Sequence, residues 1–311
     1  MPLGPLQLGL ISLLGVLAVA TAVVAGLTRG NPDRNYMELR LRVRSWWIIV
    51  AVFFAAVAFG RRIGIVIFGV VSFLAFKEFL TLVSTRPTDY RVLIWAYLSI
   101  PVQYYWVGIG WYGMFIIFIP VYVFLFLPTR MAAIGDTSGF LRAAGTLHWG
   151  LMTTVFSLSH IAFLLNLPDF QTDDGAVTGA MLVFFLVVVT QFNDITQYLW
   201  GKSIGKRKIV PRVSPGKTVA GVVGGAATTS LVASTIAPWF TPLDHWQGLV
   251  GGMIIGIVGF VGDVVMSAVK RDIGAKDSGS LLPGHGGILD RLDSLTFTAP
   301  LFFHLVYYFH Y

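Results

Sequence analysis

Ten predominantly apolar stretches recur along the chain, at approximately 6–27, 46–60, 63–84, 92–106, 111–127, 146–167, 178–199, 218–238, 246–268 and 295–310. A bilayer hydrocarbon core about 30 Å thick takes roughly 20 apolar residues per helix, whereas a membrane-spanning strand takes about 10 and alternates in polarity. Run length therefore predicts helices, which satisfy their own backbone N–H and C=O groups where no water can. Of the 311 residues, 56% are hydrophobic and only 12% charged, and mean hydropathy is +0.76. These values lie outside the range of soluble domains. The expected fold is an all-α, polytopic membrane helical bundle with about 10 transmembrane helices. The second stretch is the weakest, with about 14 apolar residues before Arg61 and Arg62, and reads as a short, tilted or re-entrant helix.

Basic residues fall on alternate connections. They occur between spans one and two (Arg29, Arg34, Arg40, Arg42, Arg44), three and four (Arg86, Arg91), and five and six (Arg130, Arg142). They recur between seven and eight (Lys202, Lys206, Arg207, Lys208, Arg212, Lys217) and between nine and ten (Lys270, Arg271, Lys276, Arg291). The opposite loops hold only Arg61 and Arg62, and one carries Asp169, Asp173 and Asp174. By the positive-inside rule the basic loops are cytoplasmic and both termini face outward. No positive n-region precedes the first apolar run, which reads as a retained helix and not a signal peptide. With no cysteine, disulfides and thiolate metal sites are excluded.

Two polar islands exceed what topology needs. The Arg residues of the first loop suit anionic headgroups, each worth about 1 kcal/mol near the surface, and demand no chemistry. Lys77 and Glu78, late in the third span, read as an ion pair or a snorkelling pair near the interface. From Trp200 to Lys217, however, six basic residues stand without an acidic one, beside Gly201, Gly205, Pro211, Pro215 and Gly216. Such a segment can cradle polyphosphate. Asp194, at the end of the preceding span, is a carboxylate that would be costly if unpaired. The stretch from Gly262 to Ser294 holds Asp263, Asp272, Asp277, Asp290 and Asp293 against Lys270, Arg271, Lys276 and Arg291. Excess carboxylate repels a phosphate substrate unless divalent cations intervene, and hard oxygen ligands select Mg²⁺ or a similar ion. Metal-assisted phosphoryl or nucleotidyl chemistry follows. Asp263, Ser267, Lys270 and Arg271 are spaced to share one face of a helix. Pro283, Gly284, Gly286 and Gly287 around His285 predict an irregular backbone there.

The segment Ser267, Lys270, Arg271, Lys276, Asp277, Pro283 and HGGILDRLD from His285 to Asp293 closely resembles the C-terminal signature of the phosphatidate cytidylyltransferase (CDP-diacylglycerol synthase) family. A looser resemblance covers Asp194, Tyr198, Gly201, Gly205, Lys206 and the SPGKT run from Ser214 to Thr218. Where the family commonly continues with an aromatic residue, Glu and Gly, this chain has Val219, Ala220 and Gly221. The resemblance implies two regions: N-terminal helices over 1–145, weakly matched, and a catalytic region over 146–311 with cytoplasmic motifs at 194–221 and 262–294.

The implied reaction is transfer of CMP from CTP to phosphatidate, giving CDP-diacylglycerol and pyrophosphate at the cytoplasmic face of a bacterial inner membrane. By analogy with the family, Asp263 and Asp290 are the expected metal ligands, with Asp194 as a further candidate. The cofactor is Mg²⁺, with room in the reading for a second, monovalent cation. Ser267 and Lys270 join Asp263 and Asp290 as expected catalytic residues. Ser214, Lys217, Lys206, Arg271, His285 and Arg291 are expected to bind substrate. Partners are CTP, a lipid phosphate and membrane lipids, with no nucleic acid; a homodimer is compatible with this reading. Two alternatives stand: a cytidylyltransferase or CTP-dependent kinase acting on an isoprenoid or other lipid, and a non-catalytic scaffold or transporter.

Overall fold

The computed structural model describes residues 3–31, 35–83, 85–172, 175–275, 277–279 and 286–311. The chain forms an all-α membrane bundle. Its helices are α1 (Pro5–Gly30), α2 (Met37–Ala58), α3 (Arg61–Leu82), α4 (Tyr90–Gly108), α5 (Tyr112–Ala132), α6 (Phe140–Leu164), α7 (Gly179–Ile204), α8 (Val219–Phe240), α9 (His245–Asp272), the single turn α10 (Leu289–Leu292) and α11 (Leu295–His310). Among the described residues, eight of these are long and apolar enough to cross a membrane: α1, α2, α3, α5, α6, α7, α8 and α9. The fourth and tenth expected spans are helices too but fall outside that set. Helix α4 opens on Arg91 and carries Gln103 and several tyrosines, while α11 has 16 residues, about 24 Å of rise.

The second span is longer than its apolar core suggests. Helix α2 begins at Met37 and takes in Arg40, Arg42 and Arg44, so the basic stretch is helical and not loop. An i,i+4 ion pair between Glu38 and Arg42 at 2.5 Å supports that first turn. Gly60, at φ +94°, turns the chain directly into α3. Single π-helical turns interrupt α5 at Phe118–Val123, beside Pro120, and α6 at Met152–Phe156. Between α6 and α7 an antiparallel pair of short strands, Phe170–Thr172 and Gly175–Val177, lies on the face opposite the basic loops.

Helices α7, α8 and α9 pack most closely, because small residues let their backbones approach. A Cβ on Gly252 would stand 2.6 Å from Ala233 Cβ and 2.7 Å from Ser230 Cα, and one on Gly256 would stand 2.8 Å from Ala226 Cα. Polar groups then bond across the interface. Asn193 Nδ2 and Gln197 Nε2 both donate to the Gly256 carbonyl, at 3.3 and 3.0 Å, and Thr229 Oγ1 donates to Asn193 Oδ1 at 3.3 Å. Asp244 caps α9 through Gln247 N at 2.7 Å, and Thr218 caps α8 through Gly221 N at 3.1 Å. Large apolar side chains such as Val16, Val66, Val223 and Leu231 remain exposed, as lipid-facing positions should.

Gly256→Val must push α8 off α9, and overpacking of this kind costs roughly 1–3 kcal/mol. Thermal unfolding in detergent should show that loss for Gly256→Val and no loss for Gly15→Ala, where an added Cβ meets nothing within 4 Å.

Candidate active site

The sequence brings two loops and three helix ends to one place. Helix α7 carries Asp194 nearly three turns before its end, and α9 carries Asp263, Ser267, Lys270 and Arg271 over its last three turns. The loop between α7 and α8 folds back on itself: Ile209 N bonds Lys217 O at 3.1 Å, Val219 N bonds Arg207 O at 2.9 Å, and Ser214 N bonds Val210 O at 2.9 Å. That folding directs the Lys217 ammonium onto Asp263 Oδ2. Ser267 Oγ donates to Asp263 Oδ1 at 3.2 Å, one turn along the same face of α9. Arg271 Nε donates to Val213 O at 3.3 Å and joins α9 to the same loop. The face expected from spacing is therefore present, and the loop's lysine closes on it.

The second half of the site comes from residues 277–279 and 286–294. Lys270 Nζ bonds Asp290 Oδ1 at 2.6 Å. Asp290 Oδ2 accepts from Ser278 N at 2.8 Å and Gly287 N at 2.9 Å. Burial opposes charge on Asp290, but Lys270 and the two N–H groups prevail and hold its carboxyl below the usual carboxylate range. Asp293 behaves in the opposite way. It is deeply buried, and burial first, then the neighbouring Asp263 and Asp194 carboxylates, raise its carboxyl well above that range. Asp194 Oδ1 accepts from Ser294 Oγ at 3.0 Å, and the charges of Lys217 and Arg291 bear on it. Ser214 is half-buried in the folded loop and Lys206 is exposed beside it. His285 and Lys276 lie outside the described residues.

Asp194, Asp263 and Asp293 thus form an electrostatic group of their own, with Asp290 held to one side by Lys270. Among the described residues, no three carboxylate or imidazole groups meet at one ligation point. The donor set nevertheless fits a hard divalent ion. Two ammonium groups already neutralise carboxylates there, and a cation would ease the repulsion that adds to burial in raising Asp293.

Glu78 has a structural task that the sequence does not disclose. It is 9% exposed, and no ion pair with Lys77 forms. Its carboxylate instead accepts from Ser278 Oγ at 2.6 Å and Leu289 N at 3.0 Å through Oε1, and from Ile288 N at 2.8 Å through Oε2. Ser278 Oγ in turn accepts from Asp290 N at 3.2 Å. A side chain on Gly287 would collide with the Glu78 carboxylate, so glycine is required at that position. A membrane helix from the N-terminal half therefore positions the acidic segment. The available signal was a carboxylate inside an apolar run, but nothing local names a partner some 200 residues away.

Glu78→Ala removes the acceptor for two backbone N–H groups and the Ser278 hydroxyl. Charge-assisted bonds of this kind contribute about 1.5–3 kcal/mol each. Hydrogen exchange on the detergent-solubilised protein should show the Ile288 and Leu289 amides opening roughly a hundredfold more readily, with Glu78→Gln in between. Unchanged exchange in the alanine variant would show that the clamp holds nothing.

Comparison with known proteins agrees with this geometry. The profile of the Cytidylyltransferase family matches residues 40–309, which takes in both motifs and Glu78 and leaves out α1. An uncharacterized Escherichia coli (strain K12) protein, YnbB, is 47% identical over 97% of this chain and 99% of its own length. A phosphatidate cytidylyltransferase of Synechocystis is 42% identical over 60% of this chain and 66% of its own length, and one of Bacillus subtilis is 42% identical over 41% and 48%. The chain thus spans about half to two thirds of those curated enzymes. A multi-pass membrane enzyme with acidic and basic groups gathered at one end of its helices, this protein belongs to the cytidylyltransferase family and is a nucleotidyltransferase.

Proposed function

We propose that the enzyme transfers CMP from CTP to phosphatidate, releasing pyrophosphate and forming CDP-diacylglycerol. The observation that carries this reading is the meeting of the two motifs: Lys217 from the SPGKT run on Asp263, and Lys270 on Asp290, at one end of the bundle. The names of the curated relatives support the choice of lipid. By the positive-inside rule this end faces the cytoplasm, where CTP arrives while the acyl tails stay in the bilayer. A bacterial inner membrane suits that arrangement.

The chemical difficulty is repulsion between an anionic lipid phosphate and an anionic α-phosphate. A phosphate monoester with a second pKa near 6 is largely ionised at neutral pH, so no strong general base is needed. Positioning and charge neutralisation must do the work. Lys217 and Lys270 are near enough to the carboxylates to exchange them for substrate phosphate oxygens, and Ser267 can donate beside Asp263. Arg271 and Lys206 extend the basic rim toward the pyrophosphate. Mg²⁺ bound by Asp263 with Asp293 or Asp290, and with Asp194 behind them, would neutralise charge on the phosphates.

A second reading keeps the nucleotide and changes the lipid, and Ala220 favours testing it, because the carboxylate common after SPGKT is missing from the first turn of α8. Purified enzyme with labelled CTP, Mg²⁺ and either phosphatidate or a polyprenyl phosphate should form labelled CDP-diacylglycerol and pyrophosphate with phosphatidate alone. Release of CDP instead would mark a kinase, and turnover only with the polyprenyl phosphate would overturn the lipid assignment. Asp263→Asn should lower kcat by about 10²–10³ or more, the scale of removing one electrostatic contributor, and Asp263→Ala with Asp290→Ala should abolish turnover while the thermal transition persists.

A further inference from the structure

The cytoplasmic ends of α1 and α2 enclose a cleft of about 480 Å³ lined by Arg29, Arg40 and Arg44 over an apolar wall that includes Val24, Val43 and Trp47. Trp47 Nε1 donates to Thr21 Oγ1 at 3.0 Å and fixes the two helices to each other across its base. Arg40 and Arg44 lie one turn apart on the same face, where like charges repel. The nearby Glu38 does not relieve them, since it is taken by Arg42 at 2.5 Å. Among the described residues, none of Arg29, Arg40 and Arg44 has a carboxylate partner. Three guanidinium groups around one cleft are complementary to phosphate, which arginine binds through paired N–H donors.

The surroundings make the phosphate a lipid's. The cleft's own wall is apolar, with Val24, Ala25, Val43 and Trp47 beside the arginines, and Ile48 next to it is exposed, so acyl chains can lie against the same groove that holds a headgroup. Helices α1, α2 and α3 alternate in direction, and the end of α3 carries Glu78, which touches the acidic segment. The cleft therefore opens on the same membrane face as the Asp263 group but on different helices. Arg29 and the whole of α1 lie outside the family match.

We propose that this cleft is a binding site for an anionic phospholipid, its phosphate held by Arg29, Arg40 and Arg44, separate from the nucleotidyl-transfer site. Phosphatidylglycerol is the suitable probe, because it lacks the terminal phosphate monoester that the reaction requires. Native mass spectrometry of the full chain in detergent should show phosphatidylglycerol retained in preference to phosphatidylethanolamine. Arg29→Ala, Arg40→Ala and Arg44→Ala combined should weaken phosphatidylglycerol roughly a hundredfold, at about 1 kcal/mol per arginine near a membrane surface. The corresponding triple lysine variant, which keeps charge and loses the paired donors, should fall between. Arg61→Ala with Arg62→Ala, on the opposite face, should leave affinity unchanged. If the triple alanine variant does not fold, Arg44→Gln alone should weaken binding about fivefold, and wild-type affinity in that variant overturns the proposal. So does equal binding of phosphatidylethanolamine, an equal loss in the Arg61/Arg62 variant, or displacement of the lipid by inorganic phosphate at matching concentration, which would mark a site for free anions.

Discussion

The Glu78 carboxylate, near the C-terminal end of the membrane helix α3, accepts hydrogen bonds from Ser278 Oγ, Ile288 N and Leu289 N. A buried ionised carboxylate is unfavourable by several kcal/mol unless its lone pairs are satisfied. Here the donors are the Ser278 hydroxyl and the backbone N–H groups of Ile288 and Leu289 at the start of α10, where a helix leaves its first N–H groups without partners of its own. Each side supplies what the other lacks. Because Ser278 Oγ also accepts from Asp290 N, and Asp290 holds Lys270, the position of Lys270 is set partly by a residue of α3. The N-terminal helices are thus part of the machinery that orders the acidic segment.

That ordering permits an otherwise unfavourable concentration of like charge. Burial first, and then repulsion from Asp263 and Asp194, make Asp293 hold its proton more tightly than an ordinary aspartate. Lys217 and Lys270 offset the repulsion only in part, one on Asp263 and one on Asp290. A cation entering such a group would ease the remaining repulsion. Fully paired carboxylates would leave none to ease.

Much of this was legible in the sequence, and the divisions have physical causes. Helix positions follow from run length, since the bilayer sets one scale for all of them, and the common face of Asp263, Ser267 and Lys270 follows from helical periodicity. The start of α2 was misjudged because arginines were read as loop, although their long stems allow a helix to continue past the apolar core while the charges reach the interface. From the sequence Glu78 reads as half of an ion pair or a snorkelling pair with Lys77, because only adjacent residues are visible in a linear string. Its donors are backbone groups, which leave no mark on residue type. For the same reason the grouping of Asp293 with Asp263, and the diversion of Asp290 to Lys270, depend on a fold of the acidic segment that spacing does not specify.

The two basic populations on this membrane face differ in a way that matches their tasks. At the carboxylate group the cations that pair with Asp263 and Asp290 are the lysines Lys217 and Lys270, point charges on flexible stems that can leave one oxygen for another. At the α1–α2 cleft all three are arginines, whose planar groups bind phosphate through fixed pairs of donors and release it reluctantly. A site that must turn over benefits from the first kind, and a site that retains a lipid benefits from the second. Charge alone, which is all that topology requires of these loops, would not distinguish them; the choice of side chain does.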